Sequence, residues 1–309
     1  MSLKILFMGT PNFAVPILKS IHNSSHEVLE VYTQPPKKKN RGQKISHSPV
    51  HKYSNEINVS VRHPLILDTQ EELKHLKKLK PDIAVVVAYG KILPTNILNL
   101  ENMIFINVHA SLLPKWRGAA PIQRAIMNCD NETGISIMKV EPKLDAGPIL
   151  SKSKITITKE INYEELSNKM SKLGAKLILE ALDLIEKGKA KFISQNNKNA
   201  TYAKKIEKTE SKINWNLKAK NVVAKINALY PNPGSWFELN KSRIKVIKAI
   251  EVDAKGKPGE IIKKDFTIAC AHNAVQILEL QKEGKNKISA VEFLKGNKLE
   301  IGLNINTNA

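Results

Sequence analysis

Short runs of apolar residues, separated by segments with helical spacing, constrain the fold of the first half of the chain more than any other feature. The runs cover residues 3–8, 28–33, 82–88 and 104–109. The first run ends at Gly9-Thr10-Pro11, after which apolar side chains recur at roughly helical spacing. Continuous apolar strands are typical of parallel sheets that are covered on both faces. We therefore predict a doubly wound, Rossmann-like α/β domain that binds its ligands at the carboxyl ends of the strands.

The pattern changes in the second half of the chain. A predicted helix begins near Tyr163 and ends at Gly188, and a polar linker over residues 189–203 follows it. Short strand segments then predict a small OB-like β-barrel over residues 204–309. The predicted strands of this barrel are residues 235–239, 243–252, 259–262, 266–271 and 275–280. We thus expect an α/β domain over residues 1–188, the linker and the barrel domain.

The composition excludes several classes of protein. The 309 residues are 42% hydrophobic and 25% charged, an ordinary globular mixture that argues against a fibrous or disordered protein. Apolar runs stay well short of the roughly 18 to 20 residues that a membrane span requires, and we predict neither a span nor a signal peptide. Cys129 and Cys270 lie far apart without a Cys-x-x-Cys pattern, which argues against disulfides and structural zinc. A reducing cytoplasm is the predicted location.

The chain is strongly basic, with 49 Lys and Arg against 29 Asp and Glu. The excess favours a polyanionic partner such as nucleic acid. However, 44 of the basic residues are Lys and only 5 are Arg, a composition that an AT-rich genome also produces. Both interpretations of the total charge remain open.

The placement of the charges is more informative than their sum. Six basic residues and no acidic one lie between Lys37 and Lys52, which predicts a cationic loop suited to phosphates. In the barrel domain, strand alternation predicts that Lys241, Arg243 and Lys245 share one face. In both places a solvated surface is the alternative.

Three residues carry candidate chemistry. Asn107 and His109 lie two positions apart at the end of an apolar run, so both side chains project from one face of the predicted strand. An Asn amide can donate a hydrogen bond to a developing oxyanion, and a His can move a proton near neutral pH. Asp145 lies in a turn of small residues that can bring its carboxylate to an imidazole. The alternative for each is a hydrogen bond within its own turn, and the chain has neither a Gly-x-Gly-x-x-Gly nor a Walker motif.

Several further segments of the chain form a recognisable pattern. They are Met8-Gly9-Thr10-Pro11-Asn12, Arg41-Gly42-Gln43-Lys44, Val87-Ala88-Tyr89-Gly90, Asn107-Val108-His109-Ala110-Ser111-Leu112-Leu113-Pro114, Arg117-Gly118-Ala119-Ala120-Pro121, Leu144-Asp145-Ala146-Gly147 and Pro231-Asn232-Pro233-Gly234-Ser235-Trp236. Together these segments resemble the folate-dependent formyltransferases, and the similar pattern covers nearly the whole chain. The departures are a cationic loop unusually rich in lysine and the residues after Asn297, which match nothing in that pattern.

This resemblance implies transfer of a formyl group from 10-formyltetrahydrofolate to the α-amine of methionyl initiator tRNA, without a metal. It implies that Asn107 and His109 stabilise the oxyanion and that Asp145 keeps His109 protonated and positioned. It also implies two sets of binding residues. The folate-binding residues are Ser111, Leu112, Leu113 and Pro114, and the tRNA-binding residues are Arg41 and Lys44 in the cationic loop and Lys241, Arg243 and Lys245 in the barrel.

Two other functions remain open on the sequence alone. A glycinamide ribonucleotide formyltransferase needs Asn107, His109 and Asp145 equally, but this function does not explain the cationic loop or the second domain. A non-enzymatic RNA-binding protein explains the charge. It does not explain Asn107, His109 and Asp145.

Overall fold

The computed structural model of this protein describes residues 2–39 and 44–305. Contacts within the chain divide it into two units. The first comprises the described residues of Met1–Gly118, Thr133–Ile155 and Ser167–Tyr202, and the second those of Ala119–Glu132, Thr156–Leu166 and Ala203–Ala309. None of the helices in the described part of the chain is long and apolar enough to cross a membrane.

The first unit is built on a mixed seven-stranded sheet. Its strands and helices begin and end as follows: β1 Lys4–Gly9, α1 Val15–His22, β2 Glu27–Tyr32, β3 Lys37–Lys39, β4 Lys44–Ser46, α2 Pro49–Glu56, β5 Val61–Arg62, α3 Gln70–Leu79, β6 Ile83–Val87, α4 Thr95–Leu98, β7 Ile104–His109 and β8 Arg117–Gly118. The next elements along the chain are α5 Pro121–Met127, which groups with the second unit, and then β9 Glu132–Lys139, β10 Ile149–Thr156, α6 Tyr163–Glu186 and β11 Tyr202–Ala203.

The order of the large sheet is β10-β9-β7-β6-β1-β2-β5. Its central pairs, β7 with β6, β6 with β1 and β1 with β2, are parallel, whereas β9 runs antiparallel to β7. The four predicted apolar runs are β1, β2, β6 and β7, and every residue of β6 is buried. The predicted doubly wound α/β fold is therefore confirmed, with the antiparallel strand β9 next to the edge strand β10. The carboxyl end of β7, at His109, lies between β6 and β9.

The second unit contains an antiparallel sheet. Its elements are α7 Ala219–Leu229, β12 Ser235–Leu239, β13 Ser242–Val252, β14 Ile261–Lys263, β15 Thr267–Ala269, β16 Ala274–Lys282, β17 Lys287–Ser289 and α8 Ala290–Gly296. The strand order is β12-β13-β16-β15-β14, and β17 pairs with β16. The prediction of a second, β-rich domain is confirmed as an antiparallel β domain, although β14 and β15 are shorter than predicted and β17 and α8 were not predicted. Trp215, Phe237, Phe266 and Phe293 make edge and stacked ring contacts through its core.

The two units differ from the predicted domains in three places, one of which is residues 156–166, which group with the second unit. Residues 189–202 group with the first unit, in which Gln195 is hydrogen-bonded to Arg117 and Asp145. The segment around α5 groups with the second unit because Arg124 pairs with Glu210 at 2.6 Å and donates to the carbonyls of Lys204 and Lys205. The domain division over residues 1–188, 189–203 and 204–309 stays a prediction.

Candidate active site

Asn107 and His109 lie at the carboxyl end of β7. In the sheet register Asn107 faces Val86 of β6 and Met138 of β9, and His109 faces Ser136 of β9. Alternation along the strand places both side chains on one face, as the sequence predicts. His109 is 5% exposed and Asn107 is half-buried. The Asn107 amide makes no side-chain hydrogen bond to any residue that the structure describes, so it is available to a ligand.

His109 is oriented by a backbone carbonyl. Its Nε2 lies 2.9 Å from the carbonyl oxygen of Trp116. Because a carbonyl only accepts hydrogen bonds, Nε2 must carry a proton. The other ring nitrogen, Nδ1, lies 3.7 Å from Oδ2 of Asp145. Nδ1 is therefore the ring nitrogen that faces the Asp145 carboxylate.

The Asp145 side chain is held by a backbone group of another segment, and its turn packs closely against β9. The Gly118 N–H donates to Oδ2 of Asp145 at 2.8 Å. The backbone of Asp145 adopts a φ of +45°, a left-handed conformation that costs free energy for residues other than Gly. Two residues on, a Cβ on Gly147 would lie 2.0 Å from the carbonyl oxygen of Lys139, so only Gly allows the turn to pack this closely against the end of β9. The turn is thus strained, closely packed and directed at His109.

Arg117 and Gln195 support this turn and had no predicted role. Arg117 is only 1% exposed, and its guanidinium donates to Oε1 of Gln195 and to Oδ1 of Asn197 at 2.8 Å. The Gln195 amide nitrogen donates to the carbonyls of Asp145 and Gly147 at 3.0 and 2.7 Å. Two sequence signals pointed to Arg117: it is one of only five arginines in a chain rich in lysine, and it begins one of the segments that carry the family resemblance.

The predicted folate segment lies beside β9 and is mostly enclosed. Ser111 is fully buried, and its hydroxyl donates to the Lys115 carbonyl at 2.6 Å. Leu113 is 1% exposed, and its N–H donates to the Ser136 hydroxyl at 3.1 Å. Of the four predicted residues, Leu112 and Pro114 are partly exposed. Ser111 and Leu113 therefore shape the segment from inside, and a ligand at this place meets Leu112 and Pro114.

The predicted tRNA-binding residues differ in how they are placed. Arg41 lies outside the described residues, and Lys44 begins β4, where its backbone pairs with Lys39. In the second unit, Lys241 is exposed in the turn between β12 and β13. The side chains of Arg243 and Lys245 flank the buried Ile244 on β13 and share one strand face, whereas Lys241 lies before the strand begins and has a φ of +59°.

The two basic side chains on β13 have different surroundings. The Arg243 guanidinium carbon lies 3.9 Å from the ring centroid of Trp236, a cation–π arrangement that leaves Arg243 exposed. The Lys245 ammonium instead donates to the carbonyl of Pro231 at 2.7 Å. Burial lowers the pKa of Lys245. Lys245 therefore ties the hairpin to the turn before β12, and its ammonium is already engaged.

The part of the chain that the structure describes contains no group of three or more His, Cys, Asp or Glu side chains arranged to hold a metal ion. The candidate site brings together an amide, an imidazole and a carboxylate, those of Asn107, His109 and Asp145.

Family models match both halves of the chain. The formyl transferase model matches residues 3–182, and the model of the formyl transferase C-terminal domain matches residues 205–298. The methionyl-tRNA formyltransferase of Pelagibacter ubique is 47% identical over 307 residues, which are 99% of each chain. That of Chelativorans sp. is 42% identical over 98% of this chain and 99% of its own length.

Solved structures share the fold at low sequence identity. HypX from Aquifex aeolicus in complex with tetrahydrofolic acid superposes with a TM-score of 0.67 at 18% identity. The match covers 98% of this chain, which spans about half of HypX (51%). WlaRD, a sugar 3N-formyl transferase solved in the presence of dTDP and 5-N-formyl-THF, superposes with a TM-score of 0.67 at 20% identity, over 93% of this chain and 100% of its own. From the two family models and the full-length relatives, this chain belongs to the formyl transferase family, in the group whose curated members are methionyl-tRNA formyltransferases.

Proposed function

We propose that this chain transfers the formyl group of 10-formyltetrahydrofolate to the α-amine of methionyl initiator tRNA. The observation that carries the proposal is the arrangement at the end of β7. There a buried His109, fixed at Nε2 by the Trp116 carbonyl, faces the Asp145 carboxylate next to an Asn107 amide that is free to bind a ligand. The full-length similarity to methionyl-tRNA formyltransferases supports the choice of acceptor.

The first step of the reaction is attack of the neutral α-amine on the formyl carbon. A bond forms between the α-nitrogen and the formyl carbon, and negative charge develops on the formyl oxygen. The Asn107 amide donates a hydrogen bond to this oxygen. An oxyanion donor of this kind contributes about a hundredfold or more to the rate.

The second step breaks the bond between the formyl carbon and the folate nitrogen. The α-nitrogen loses a proton, and the folate nitrogen gains one as it leaves. Nε2 of His109 is occupied by the Trp116 carbonyl, so Nδ1 is the nitrogen that takes the proton and passes it on. Asp145 lies 3.7 Å from Nδ1 and stabilises the imidazolium that forms in between.

The co-substrate and the tRNA meet different parts of the chain. The folate lies against Leu112 and Pro114, whose segment is held in shape by the buried Ser111 and Leu113. HypX and WlaRD were solved with tetrahydrofolic acid and 5-N-formyl-THF, which supports a folate as donor. For the tRNA, Arg41 and Lys44 contact the acceptor end, and the exposed Lys241 and Arg243 contact phosphates. Lys245 supports the hairpin that presents Arg243.

A formylation assay tests the proposal. Purified protein is incubated with 10-formyltetrahydrofolate and either methionyl initiator tRNA, methionyl elongator tRNA or glycinamide ribonucleotide, with His109→Ala as the inactive control. We expect N-formylmethionyl-tRNA only from the initiator tRNA. Formylation of glycinamide ribonucleotide instead, or tRNA binding with no formyl transfer to any acceptor, would overturn the assignment.

A further inference from the structure

The side-chain amide of Gln195 connects two segments, the one that contains Arg117 and Gly118 and the turn that contains Asp145. The Gln195 amide oxygen accepts from Nε and Nη2 of Arg117 at 3.2 and 2.7 Å. Its amide nitrogen donates to the carbonyl oxygens of Asp145 and Gly147 at 3.0 and 2.7 Å. All four residues belong to the first unit.

The partners of Gln195 determine which way its amide points. A guanidinium only donates hydrogen bonds, so the atom facing Arg117 must be the oxygen. Backbone carbonyls only accept, so the atom facing Asp145 and Gly147 must be the nitrogen. The two requirements agree, and both hydrogens of the amide are used within one turn.

The same two segments also meet at the carboxylate. Gly118, the residue after Arg117, donates its backbone N–H to Oδ2 of Asp145. Gln195 thus ties Arg117 to the backbone of the Asp145 turn, while the neighbouring Gly118 binds the Asp145 side chain. A shift of either segment moves the carboxylate relative to His109.

We propose that Gln195 is a positioning residue that holds the Asp145 carboxylate where it faces Nδ1 of His109; this rests on the proposed function. The Asp145 backbone has a φ of +45°, which residues other than Gly adopt only when surrounding contacts hold them. The Gln195 amide nitrogen donates to the backbone carbonyl of Asp145 itself and to that of Gly147. These two hydrogen bonds hold the strained backbone at Asp145 and just after it. Misplacing a reacting group by about 1 Å can cost about a hundredfold in rate.

Two substitutions separate the two halves of the Gln195 amide. In Gln195→Glu the carboxylate still accepts from Arg117 but cannot donate to the Asp145 and Gly147 carbonyls. In Gln195→Ala both halves are lost, and the buried Arg117 guanidinium also loses an acceptor. Asn199→Ala is the matched control, because Asn199 is an exposed amide in the same segment and its side chain makes no hydrogen bond to the described residues.

The measurement is steady-state formylation of methionyl initiator tRNA, together with the melting temperature of each variant. For Gln195→Glu we expect kcat to fall about ten- to a hundredfold. The KM for 10-formyltetrahydrofolate should stay within about twofold and the melting temperature within about 3 °C of the parent. Gln195→Ala should lose at least as much kcat, and Asn199→Ala should equal the parent.

A double variant adds a readout that a purely structural role would not give. If Gln195 acts through Asp145, adding Gln195→Glu to Asp145→Asn should leave the single-turnover rate of Asp145→Asn unchanged. A further tenfold loss in the double variant, or a parental kcat in Gln195→Glu, overturns the positioning role. If the parent protein itself does not formylate the tRNA, the proposed function fails instead, so the two failures are distinguishable.

Discussion

His109 and Asp145, 36 positions apart in the chain, face each other across 3.7 Å between Nδ1 and Oδ2. The opposite ring nitrogen of His109 is bonded to the Trp116 carbonyl, so the imidazole cannot turn away without losing that bond. The carboxylate is in turn bonded to the Gly118 N–H. Both partners are therefore oriented before a substrate arrives, and the space between them is where a proton in transit is stabilised.

Replacing Asp145 with Asn tests the role of its charge. The Asn side chain can still accept from the Gly118 N–H, so the turn keeps this bond while the negative charge beside His109 is removed. We expect kcat to fall by about a hundredfold or more because the imidazolium loses its counter-charge. The change is measured in the formylation assay, with binding of a folate analogue as the control. A parental kcat would remove Asp145 from the mechanism.

Asn107→Ala tests the oxyanion donor. The Asn107 side chain makes no hydrogen bond to the described part of the chain, so its removal leaves no protein group newly unpaired. We expect a loss of about a hundredfold in kcat with little change in folate affinity or melting temperature. A loss confined to the KM for folate would instead identify Asn107 as a binding residue.

The basic surface around β13 is tested by removing its two exposed cations, Lys241 and Arg243. Lys241→Ala combined with Arg243→Ala should weaken tRNA binding and reduce the slope of log affinity against log salt by about one to two, because up to two phosphate contacts are lost. Lys263→Ala together with Lys264→Ala removes the same charge from exposed positions at the end of β14 and just after it, in the same unit, and is the control. Equal salt slopes for the two double variants would support a solvated surface.

Lys245 differs from these two residues and is expected to affect stability. Its ammonium binds the Pro231 carbonyl, and its stem lies over Gly234, where a Cβ would come within 2.0 Å of Lys245 Cε. We expect Lys245→Ala to lower the free energy of unfolding by about 1 to 2 kcal/mol, through the lost hydrogen bond and packing. Urea unfolding measures this change. An unchanged midpoint would mean that Lys245 is a surface cation that does not stabilise the fold.

The buried Glu72 carboxylate makes stability depend on pH. It is 5% exposed and accepts from Tyr32 at 2.7 Å and from Arg62 at 2.6 Å. Burial alone would raise the pKa of Glu72, but these hydrogen bonds and the Arg62 charge hold it below its ordinary value. A carboxyl whose pKa is lowered by folding contributes stability that is full above its unfolded pKa of about 4.3 and is lost as the pH falls through its folded pKa.

We therefore expect Glu72→Gln to lower the free energy of unfolding at pH 7 by about 1 to 3 kcal/mol, because Arg62 and Tyr32 lose a charged acceptor. Below pH 4 the difference from the parent should shrink, since the parent carboxylate is then being protonated. Urea unfolding at pH 7, 5, 4 and 3 measures both. A difference that does not change with pH would mean that packing, and not the charge, is responsible.

The cationic loop is tested at Arg41, which lies outside the described residues. A planar guanidinium can bind phosphate or a base edge through two bonds, which lysine cannot do. Arg41→Lys is therefore expected to lower kcat/KM for methionyl initiator tRNA by about tenfold or more, with folate-analogue binding unchanged. An activity equal to the parent would make the loop a charged tether.

Local pattern was sufficient for the central strands of the first unit and for one half of the site. The continuous apolar runs predicted β1, β2, β6 and β7 because a strand covered on both faces has no polar side chains to alternate. The spacing of Asn107 and His109 predicted their common face because strand side chains alternate with a period of two. Both are properties of neighbours in the chain and need no knowledge of packing.

The other half of the site depends on tertiary structure. Sequence reasoning suggested an aspartate near the imidazole, but it could not identify the Trp116 carbonyl that orients His109 or the Gln195 amide that holds the Asp145 turn. Nor could it separate Arg243, exposed on Trp236, from Lys245, whose ammonium is engaged. A hydrogen bond between distant segments depends on where packing places their backbones, whereas the sequence encodes directly only the periodicity of each segment. The chain by itself therefore determined the central strands of the first unit and the chemical groups available, and the fold decided which groups meet, because only packing brings residues such as 117, 145 and 195 to one place.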